Sequence, residues 1–435
     1  SFRTDGSNNF GSDEQFNPTW SAGAVWHVSE ETFMEVVRPV LSRLSLRVAT
    51  GYTGNINKTV KPNLMMKYYK NFRISDDENY RMGYINNAPN PKLRWEKTRD
   101  VKVALDFGLW KDRINGIVEA YWRKSKDCVT SEYVPVTTGF FNQSYNTSVL
   151  QNNGVEFSLS VAVLKSKDYN LSVSANVAWN QNKLKKYNSP NTSLALDKYV
   201  GYPMGAVFSG KYEGIDPETG MYKFKLRPDA VTNKDGYLRE PNNYYYYLGT
   251  SVAPFTGGFN LNFSYKNIGL SVGGSYSVKA KMVDNIESPA GYELLSGSKL
   301  ESIPTPHNDL YRNHLNVKRE VRNRWTPENR TGVKYPRLID AYGKKLGLDL
   351  TNPTLTTITR GALLEDISYL RINTIALSYS LPQRVLERIN FSSAALNLTL
   401  NNFFTITKYS GIDPEVPGAT YPVSRSVTIG LNVGF

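Results

Sequence analysis

The sequence of 435 residues is poor in the residues that build disulfides and metal sites. It contains one cysteine and three histidines, namely Cys128, His27, His307 and His314. A single cysteine excludes a disulfide framework and every zinc site made of several cysteines. So few histidines also argue against a histidine-based metal site. We therefore expect no bound metal and no cofactor.

Long hydrophobic runs are missing as well. No run approaches the roughly 18 consecutive apolar residues that a membrane-spanning helix needs, which excludes an α-helical membrane protein. The first residues, Ser1 to Gly6, lack the apolar core of a secretory signal peptide. A cytosolic protein and a mature or partial chain are both compatible with this start.

Catalytic motifs are also missing. The sequence has no Gly-x-Ser-x-Gly motif, no phosphate-binding glycine-rich loop before a helix and no His-Glu-x-x-His motif. Its many carboxylates lie in polar stretches, where acidic side chains are usually solvated. We therefore predict that the chain is not an enzyme.

What the sequence has in abundance is strict alternation of apolar and polar residues. In the segment from Val155 to Val163, for example, every second residue is apolar, which is typical of a β-strand with one apolar face. The segments reach about nine to eleven residues, the length of a tilted strand that crosses a bilayer. Counting such segments predicts about 12 to 14 strands. The clearest lie at residues 101–109, 155–163, 171–179, 259–265, 268–278, 394–400 and 427–435.

Short and long connections alternate between these segments. Tight hairpins are predicted at Lys111-Asp112, at residues 165–168 and at Lys266-Asn267, and one short helix from Pro382 to Ile389. Compact soluble domains seldom have many loops longer than about 15 residues. Outer-membrane barrels have short turns on one side and long loops on the other. The long polar stretches, predicted to be irregular, are residues 53–98, 126–150, 182–203, 227–254, 281–360 and 406–421.

Aromatic residues lie near the predicted strand ends, where the two interfaces of a bilayer would place them. The alternative is that tryptophan and tyrosine simply end soluble strands. The residues concerned are Trp20, Trp26, Trp95, Trp110, Trp122, Trp179, Tyr265, Tyr379, Phe403 and Phe404.

Several longer motifs resemble the SusC/RagA-type TonB-dependent outer-membrane transporters. Near the C-terminus these are GALLEDISYLRI at 361–372, LSYSLP at 377–382, NNFF at 401–404 and YSGIDPE at 409–415. Upstream matches are FRTDGS at 2–7, GYTGN at 51–55, LRWEKT at 93–98, NGVE at 153–156 and GIDPETG at 214–220. Their order and spacing agree with the family over essentially the whole chain.

The resemblance implies an all-β fold, an antiparallel transmembrane β-barrel with long extracellular loops. Residues 1–435 would be the C-terminal 12 to 14 strands of a barrel of about 22 strands. The plug domain and the first strands would then be absent from this chain, and the missing signal peptide would reflect truncation.

The resemblance also implies a function and partners. The function is active import of oligosaccharides or peptides across the outer membrane of a Bacteroidota-type bacterium. A SusD-like surface lipoprotein would act as a lid, and TonB with ExbB and ExbD would supply energy through the missing N-terminal part. Outer-membrane lipid would surround the barrel, and a SusC2D2-type dimer is compatible with the resemblance.

Other functions remain open at this stage. A passive porin-like channel shares the strand pattern, and a soluble carbohydrate-binding β protein would bury the same apolar faces. The formal charge of +13 raises the possibility of nucleic-acid binding. That charge is spread over many polar stretches rather than over one compact module, so we expect no nucleic-acid partner.

The candidate ligand-binding residues are Tyr244, Tyr245, Tyr246 and Tyr247, in a predicted extracellular loop beside two asparagines. Aromatic faces stack on sugar rings and amides hydrogen-bond to them. Equally, the run is compatible with the start of a strand at the membrane interface.

Two further features of the sequence are compatible with a binding site and also with a purely structural role. Asp216-Pro217-Glu218 and Asp413-Pro414-Glu415 have the composition of turns, with a calcium site as the alternative. A basic group in the long stretch 281–360 suits an anionic ligand, lipopolysaccharide phosphates or a solvated surface. Its members are Lys318, Arg319, Arg322, Arg324 and Arg330.

Overall fold

The computed structural model describes most of the chain, and within that part it is an antiparallel β-sheet protein. The described residues are 1–58, 60–75, 78–140, 142–187, 199–218, 220, 222–230, 244–283, 322–335, 360–418 and 421–435. In these ranges the strands are β1 Phe2–Gly6, β2 Phe16–Trp26, β3 Leu41–Asn55, β4 Met65–Ser75, β5 Glu78–Asn87, β6 Glu96–Leu109, β7 Ile114–Tyr133, β8 Asn142–Lys165, β9 Tyr169–Lys186, β10 Ala206–Ile215, β11 Tyr222–Lys225, β12 Tyr245–Thr250, β13 Phe255–Tyr265, β14 Ile268–Val278, β15 Lys281–Val283, β16 Leu364–Asp366, β17 Tyr369–Ser380, β18 Ser393–Thr407 and β19 Ser426–Gly434.

Twelve of these strands form one sheet, in the order β1-β2-β3-β6-β7-β8-β9-β13-β14-β17-β18-β19. Each strand therefore pairs with the preceding and the following member of the set, as in a meander. The predicted all-β antiparallel class is confirmed, and twelve strands lie within the predicted range of 12 to 14. Three small sheets, β11-β10-β12, β15-β16 and β4-β5, are formed by the remaining strands.

The three predicted tight hairpins are confirmed. The turn between β6 and β7 contains Lys111 and Asp112, whose φ angles are 56° and 59°, and Lys266 between β13 and β14 has a φ of 50°. Residues other than glycine seldom adopt this left-handed region. Two-residue hairpin turns use it because it matches the right-handed twist of the strands.

The sequence pattern predicted that the long polar stretches are irregular. The structure shows that parts of them form strands. Strand β7 continues to Tyr133 and β8 begins at Asn142, so most of residues 126–150 is strand. Residues 53–98 contain the hairpin β4-β5, residues 227–254 contain β12, and residues 281–360 contain β15. The sequence of these parts does not alternate strictly between apolar and polar residues, although main-chain pairing continues.

The predicted short helix is confirmed as α1, Gln383–Arg388, in the connection between β17 and β18. Pro382 is its N-cap residue, and the carbonyl of Pro382 accepts hydrogen bonds from the N–H groups of Val385 and Leu386. In the ranges given above, no helix has the length and apolar character needed to cross a membrane.

The chain divides into two compact units, each with its own small core. The first comprises Ser1–Met204, Gly257–Ser271 and Ser378–Asn390, and the second comprises Gly205–Thr256, Val272–Leu377 and Phe391–Phe435. In the first unit, Trp95 stacks on Phe10 with ring centroids 4.6 Å apart. Trp95 is only 6% exposed, so the prediction that it lies at a membrane interface is wrong. In the second unit, the core residues are Ala280, Ile367 and Tyr409.

Candidate functional site

One face of the sheet in the first unit is polar. Residues directly opposite each other on paired strands share a face, so the strand register defines rows of side chains. One row across β3, β6, β7, β8 and β9 consists of Gly51, Asp100, Arg123, Asn152 and Asn182. Residues of this kind suit a wall that faces water.

Ion pairs and hydrogen bonds join the side chains of this polar face. All of the ion pairs are partly exposed, and such pairs contribute about 0–1 kcal/mol each to stability. The joined atoms are Arg47 Nε and Asp106 Oδ2 at 2.6 Å, Lys102 Nζ and Glu119 Oε1 at 3.1 Å, Arg123 Nη2 and Asp100 Oδ2 at 2.9 Å, and Asn182 Nδ2 and Asn152 Oδ1 at 2.7 Å.

A shallow cavity lies on the same polar face. It has a volume of about 240 Å³, and its lining includes Asn115, Ser158, Ser174 and Asn176 together with Arg43 and Ile117. The amides and hydroxyls donate and accept hydrogen bonds, and the guanidinium of Arg43 adds a positive charge.

The opposite face of these strands is apolar. A row on this face consists of Val48, Val103, Ala120, Val155 and Trp179. Val48, Val155 and Trp179 are 42%, 41% and 36% exposed. Water-soluble proteins rarely leave a continuous apolar surface uncovered, whereas strands of outer-membrane barrels present such a face to lipid.

The four predicted ligand-binding tyrosines do not act as one group. They lie in the long connection between β9 and β13, as predicted. However, Tyr245, Tyr246 and Tyr247 belong to strand β12 of the small sheet β11-β10-β12, and Tyr244 precedes that strand. The run therefore starts a strand, although not one of the twelve-stranded sheet. Its role in ligand binding stays a prediction.

The strand geometry separates Tyr246 from its neighbours. Successive side chains of a strand point to opposite faces, so Tyr245 and Tyr247 share one face and Tyr246 lies on the other. The hydroxyl of Tyr246 donates a 2.8 Å hydrogen bond to the carbonyl of Leu226. Burial raises the pKa of the Tyr244 phenol above its ordinary value.

Sequence reasoning missed the aromatic neighbours of Tyr245 and Tyr247. Phe208 lies opposite Tyr247, with ring centroids 5.7 Å apart. Farther along β10, Tyr212 contacts the two aromatic residues of β11. The ring centroid of Tyr212 is 5.6 Å from that of Tyr222 and 6.0 Å from that of Phe224. The sequence does contain a pattern from which this group could have been predicted, namely the alternation of aromatic and lysine residues in Tyr222-Lys223-Phe224-Lys225.

A second cluster that the sequence did not reveal surrounds Arg371. This side chain on β17 is 2% exposed. Its Nη2 donates to Asp413 Oδ1 at 2.5 Å, its Nη1 to Glu415 Oε2 at 2.7 Å, and its Nε to Thr405 Oγ1 at 3.1 Å. The guanidinium carbon also lies 5.8 Å from the ring centre of Tyr369. Residues far apart in the sequence thus form one buried network.

The network determines the ionisation of Asp413. Burial raises the pKa of this carboxyl group, but hydrogen bonds from the N–H groups of Glu415 and Val423 and from Arg371 lower it more, so the pKa falls below its ordinary value. Both carboxylates of Asp413-Pro414-Glu415 thus contact a guanidinium. This arrangement agrees with the turn interpretation rather than with the calcium alternative.

Asp216-Pro217-Glu218 also forms a turn. Asp216 Oδ1 accepts a 2.9 Å hydrogen bond from the N–H of Glu218, and the Asp216 carbonyl accepts one from Gly220. In the part of the chain that the structure describes, no group of three or more His, Cys, Asp or Glu side chains is placed to hold a metal ion.

The basic group of the stretch 281–360 is described only in part. Lys318 and Arg319 lie outside the described residues. Arg322, Arg324 and Arg330 lie in the range 322–335, where Nε of Arg330 donates a 2.9 Å hydrogen bond to the carbonyl of Pro327. A role for this group in binding anions stays a prediction.

The meander of antiparallel strands, with alternating short and long connections and one polar and one apolar face, defines a β-barrel protein of the outer-membrane type. A comparison with protein families identifies the family to which the chain belongs. The family described as TonB dependent receptor-like, beta-barrel matches residues 1–295. The chain belongs to this family, whose members are outer-membrane proteins.

Relatives and solved structures agree with this assignment. The chain is 26% identical over its whole length to TonB-dependent receptor P26 of Formosa agariphila and to TonB-dependent receptor SusC of Bacteroides thetaiotaomicron. It spans 44% and 41% of the lengths of these two relatives. A solved structure of the RagAB peptide transporter superimposes on the whole chain with a TM-score of 0.77 and 26% identity, and the chain covers 45% of that structure.

Proposed function

We propose that this chain is the C-terminal barrel portion of an active importer in the bacterial outer membrane. The importer takes up oligosaccharides or peptides with energy from TonB, and a SusD-like surface lipoprotein acts as its lid. The family membership supports the class of protein. The similarity to a structure of the RagAB peptide importer, at 26% identity and a TM-score of 0.78, supports import and peptides as substrates. The oligosaccharide alternative rests on the resemblance stated above.

The observation that carries this proposal is the division of the sheet into two chemically opposite faces. Asp100 and Arg123 are paired on the polar face, whereas Val48 and Trp179 are exposed on the apolar face. Placed in a bilayer, such a sheet presents the apolar face to lipid and the polar face to a water-filled lumen. The chain would then contribute the lumen wall and the external loops rather than catalysis.

The location and the partners are part of the same proposal. Relatives from Formosa and Bacteroides support the outer membrane of a Bacteroidota-type bacterium. TonB, ExbB and ExbD would act on a plug domain N-terminal to the barrel portion described here. Residues 1–435 would then be a single part of the transporter, continuous with its earlier strands.

The test is uptake of labelled substrate by cells that carry the full-length gene, measured with and without the TonB homologue. A mixture of fluorescent oligosaccharides and a mixture of fluorescent peptides serve as substrates. We expect uptake of at least one mixture to fall to background without TonB. Unchanged uptake without TonB would show a passive channel, and a protein that stays soluble without detergent would refute the membrane location.

A further inference from the structure

The connection between β2 and β3, residues 27–40, carries four exposed apolar side chains. Phe33, Val36, Val37 and Val40 are 64%, 89%, 42% and 50% exposed. Single exposed apolar residues are ordinary on protein surfaces, whereas a group of them in one short segment indicates a surface that another molecule covers. We name these four residues the apolar side of the connection.

The backbone explains why these residues form one side. Main-chain N–H groups donate to carbonyls three or four positions earlier at Met34, Glu35, Val37, Arg38, Val40 and Leu41. In such a series of turns, residues at positions i, i+3, i+4 and i+7 lie on the same side. Phe33, Val36, Val37 and Val40 have this spacing, so their side chains share one side of the connection.

Polar groups of the connection contact the chain itself. Nε1 of Trp26, at the end of β2, donates a 2.9 Å hydrogen bond to Glu31 Oε1. Nε and Nη2 of Arg38 donate to the carbonyls of Ser29 and Glu30 at 3.0 Å and 2.9 Å. A surface segment in water has the reverse arrangement, with its apolar side on the protein and its charged groups toward solvent. The inverted arrangement indicates that the apolar side contacts an apolar medium.

The connection adjoins the apolar face of the twelve-stranded sheet. Trp26 lies opposite Leu46, two residues along β3 from Val48, and therefore belongs to the same face as Val48. At the other end of the connection, the N–H of Trp110 donates a 2.7 Å hydrogen bond to the carbonyl of Val40. Trp26 and Trp110 are 49% and 51% exposed. Exposed tryptophans at strand ends are typical of the boundary between lipid and water.

The same hydrogen bond places the connection at the end of the sheet that has the tight hairpins, since Trp110 begins the β6-β7 turn. In outer-membrane barrels this end faces the periplasm, whereas the long loops lie outside the cell. The acidic residues Glu30, Glu31 and Glu35 outnumber Arg38 in the connection. Burial of apolar area, rather than attraction to anionic headgroups, would therefore hold it in a membrane.

We propose that the connection between β2 and β3 is an interfacial anchor. Its apolar side lies in the periplasmic leaflet, at the boundary between zwitterionic phospholipid headgroups and acyl chains. The proposal rests on the function proposed above, because it requires the sheet to be part of a membrane barrel. Continuity with the apolar face through Trp26 favours lipid as the covering molecule. A plug domain or a second copy of the chain would cover the same side chains, and the experiment distinguishes these occupants from lipid.

The experiment locates single fluorescent labels in the full-length transporter. The protein is reconstituted in nanodiscs of phosphatidylcholine and phosphatidylethanolamine, which leave both membrane surfaces open to the buffer. Val36→Cys, as the only cysteine of the transporter, carries an NBD dye. Interfacial segments lie about 5–10 Å into the headgroup boundary. We therefore expect lipids with a nitroxide near the headgroup to quench the dye more than lipids with a nitroxide at the chain end, and iodide to quench it weakly.

Three further variants serve as references, each as the only cysteine. Phe33→Cys lies on the apolar side and should behave as Val36→Cys does. Glu35→Cys lies in the same segment but off the apolar side, so iodide should quench its label and nitroxide lipids should not. Val155→Cys lies on the apolar face of the sheet, where nitroxide lipids should quench the label. All variants should keep the heat-modifiable migration of a folded barrel.

Two outcomes would overturn the anchor. Iodide quenching as strong at Val36 as at Glu35 would show that the apolar side lies in water. Protection of the Val36 label from both iodide and nitroxide lipids would show that a protein segment covers this side.

The anchor and the proposed transport function fail separately. If nitroxide lipids quench the label at Val155 but not at Val36, the membrane barrel stands and the anchor falls. If they quench the label at Val36 but uptake persists without TonB, the anchor stands and the active importer falls.

Discussion

Arg371 Nη2 lies 2.5 Å from Asp413 Oδ1, and the two side chains are 2% and 6% exposed. This contact joins β17 to the connection between β18 and β19, across 42 residues of sequence. Burying two charges is costly, and the cost is offset only when good geometry and further hydrogen bonds satisfy both partners. Thr405, Glu415 and the N–H of Val423 supply those bonds.

Removing the arginine should destabilise the folded protein strongly. In Arg371→Met, the carboxylate of Asp413 stays buried without its partner, and loss of one member of a buried pair costs about 3–5 kcal/mol. We expect the full-length transporter to lose its heat-modifiable form at a lower temperature. Arg227→Met is the control, because Arg227 and Asp229 are paired on the surface. An unchanged melting temperature for Arg371→Met would contradict the role of the network.

The same network predicts a dependence of stability on acid. The pKa of Asp413 is lower in the folded protein than the ordinary value of about 3.9. Its contribution is therefore fully present above the unfolded pKa and is lost as the pH falls through the folded pKa. The stability difference between wild type and Asp413→Asn should be largest at neutral pH and should shrink below about pH 4. Guanidinium unfolding at several pH values measures it, and a constant difference would refute the assignment.

Gly361 is predicted to be intolerant of any side chain. A Cβ atom there would lie 1.8 Å from the carbonyl oxygen of Gly210, so Gly361→Ala forces the turn away from β10. Overpacking of this kind costs about 1–3 kcal/mol. Gly430→Ala is the matched control, since the nearest atom to its Cβ is 4.0 Å away. The yield of heat-modifiable protein in the membrane should fall for the first variant only.

Cys128 should react slowly with thiol reagents. It is 8% exposed and lies opposite Ser148, where β7 and β8 continue beyond a bulge. We expect a maleimide to label it at once in denaturant but slowly in the folded transporter. Ser12→Cys in a Cys128→Ser background gives an exposed thiol for comparison. Equal labelling rates for the two folded proteins would show that this part of β7 opens readily.

The sequence predicted the strands in which apolar and polar residues alternate. The β6-β7, β8-β9 and β13-β14 hairpins could be predicted because the alternation of apolar residues is interrupted there by a short polar turn. Strands β4, β5 and β12 lie in stretches that the sequence pattern predicted to be irregular, because polar or aromatic residues occupy consecutive positions there. Hydrogen bonds between main chains hold such strands together. These bonds do not depend on the hydropathy of the side chains, so a hydropathy pattern does not predict them.

The candidate site was predictable only in part for a related reason. The run at Tyr244 was conspicuous, but which tyrosines share a face depends on the register with β10 and β11. The carboxylates that pair with Arg371 lie beyond strand β18, more than 40 residues away, and no local pattern signals a contact at that separation. Contacts between distant segments become visible only when the strand order is known.

The length of the strands in the first unit has a consequence for the entropy of ligand capture. Strand β8 has 24 residues and extends about 80 Å, whereas the hydrocarbon layer is about 30 Å thick. Its N-terminal part is paired with β7 from Asn142 to Ser148, so this portion is hydrogen-bonded sheet instead of irregular loop. A molecule that binds there loses its own freedom but orders little protein, and rigid surfaces of this kind bind at a lower entropic cost.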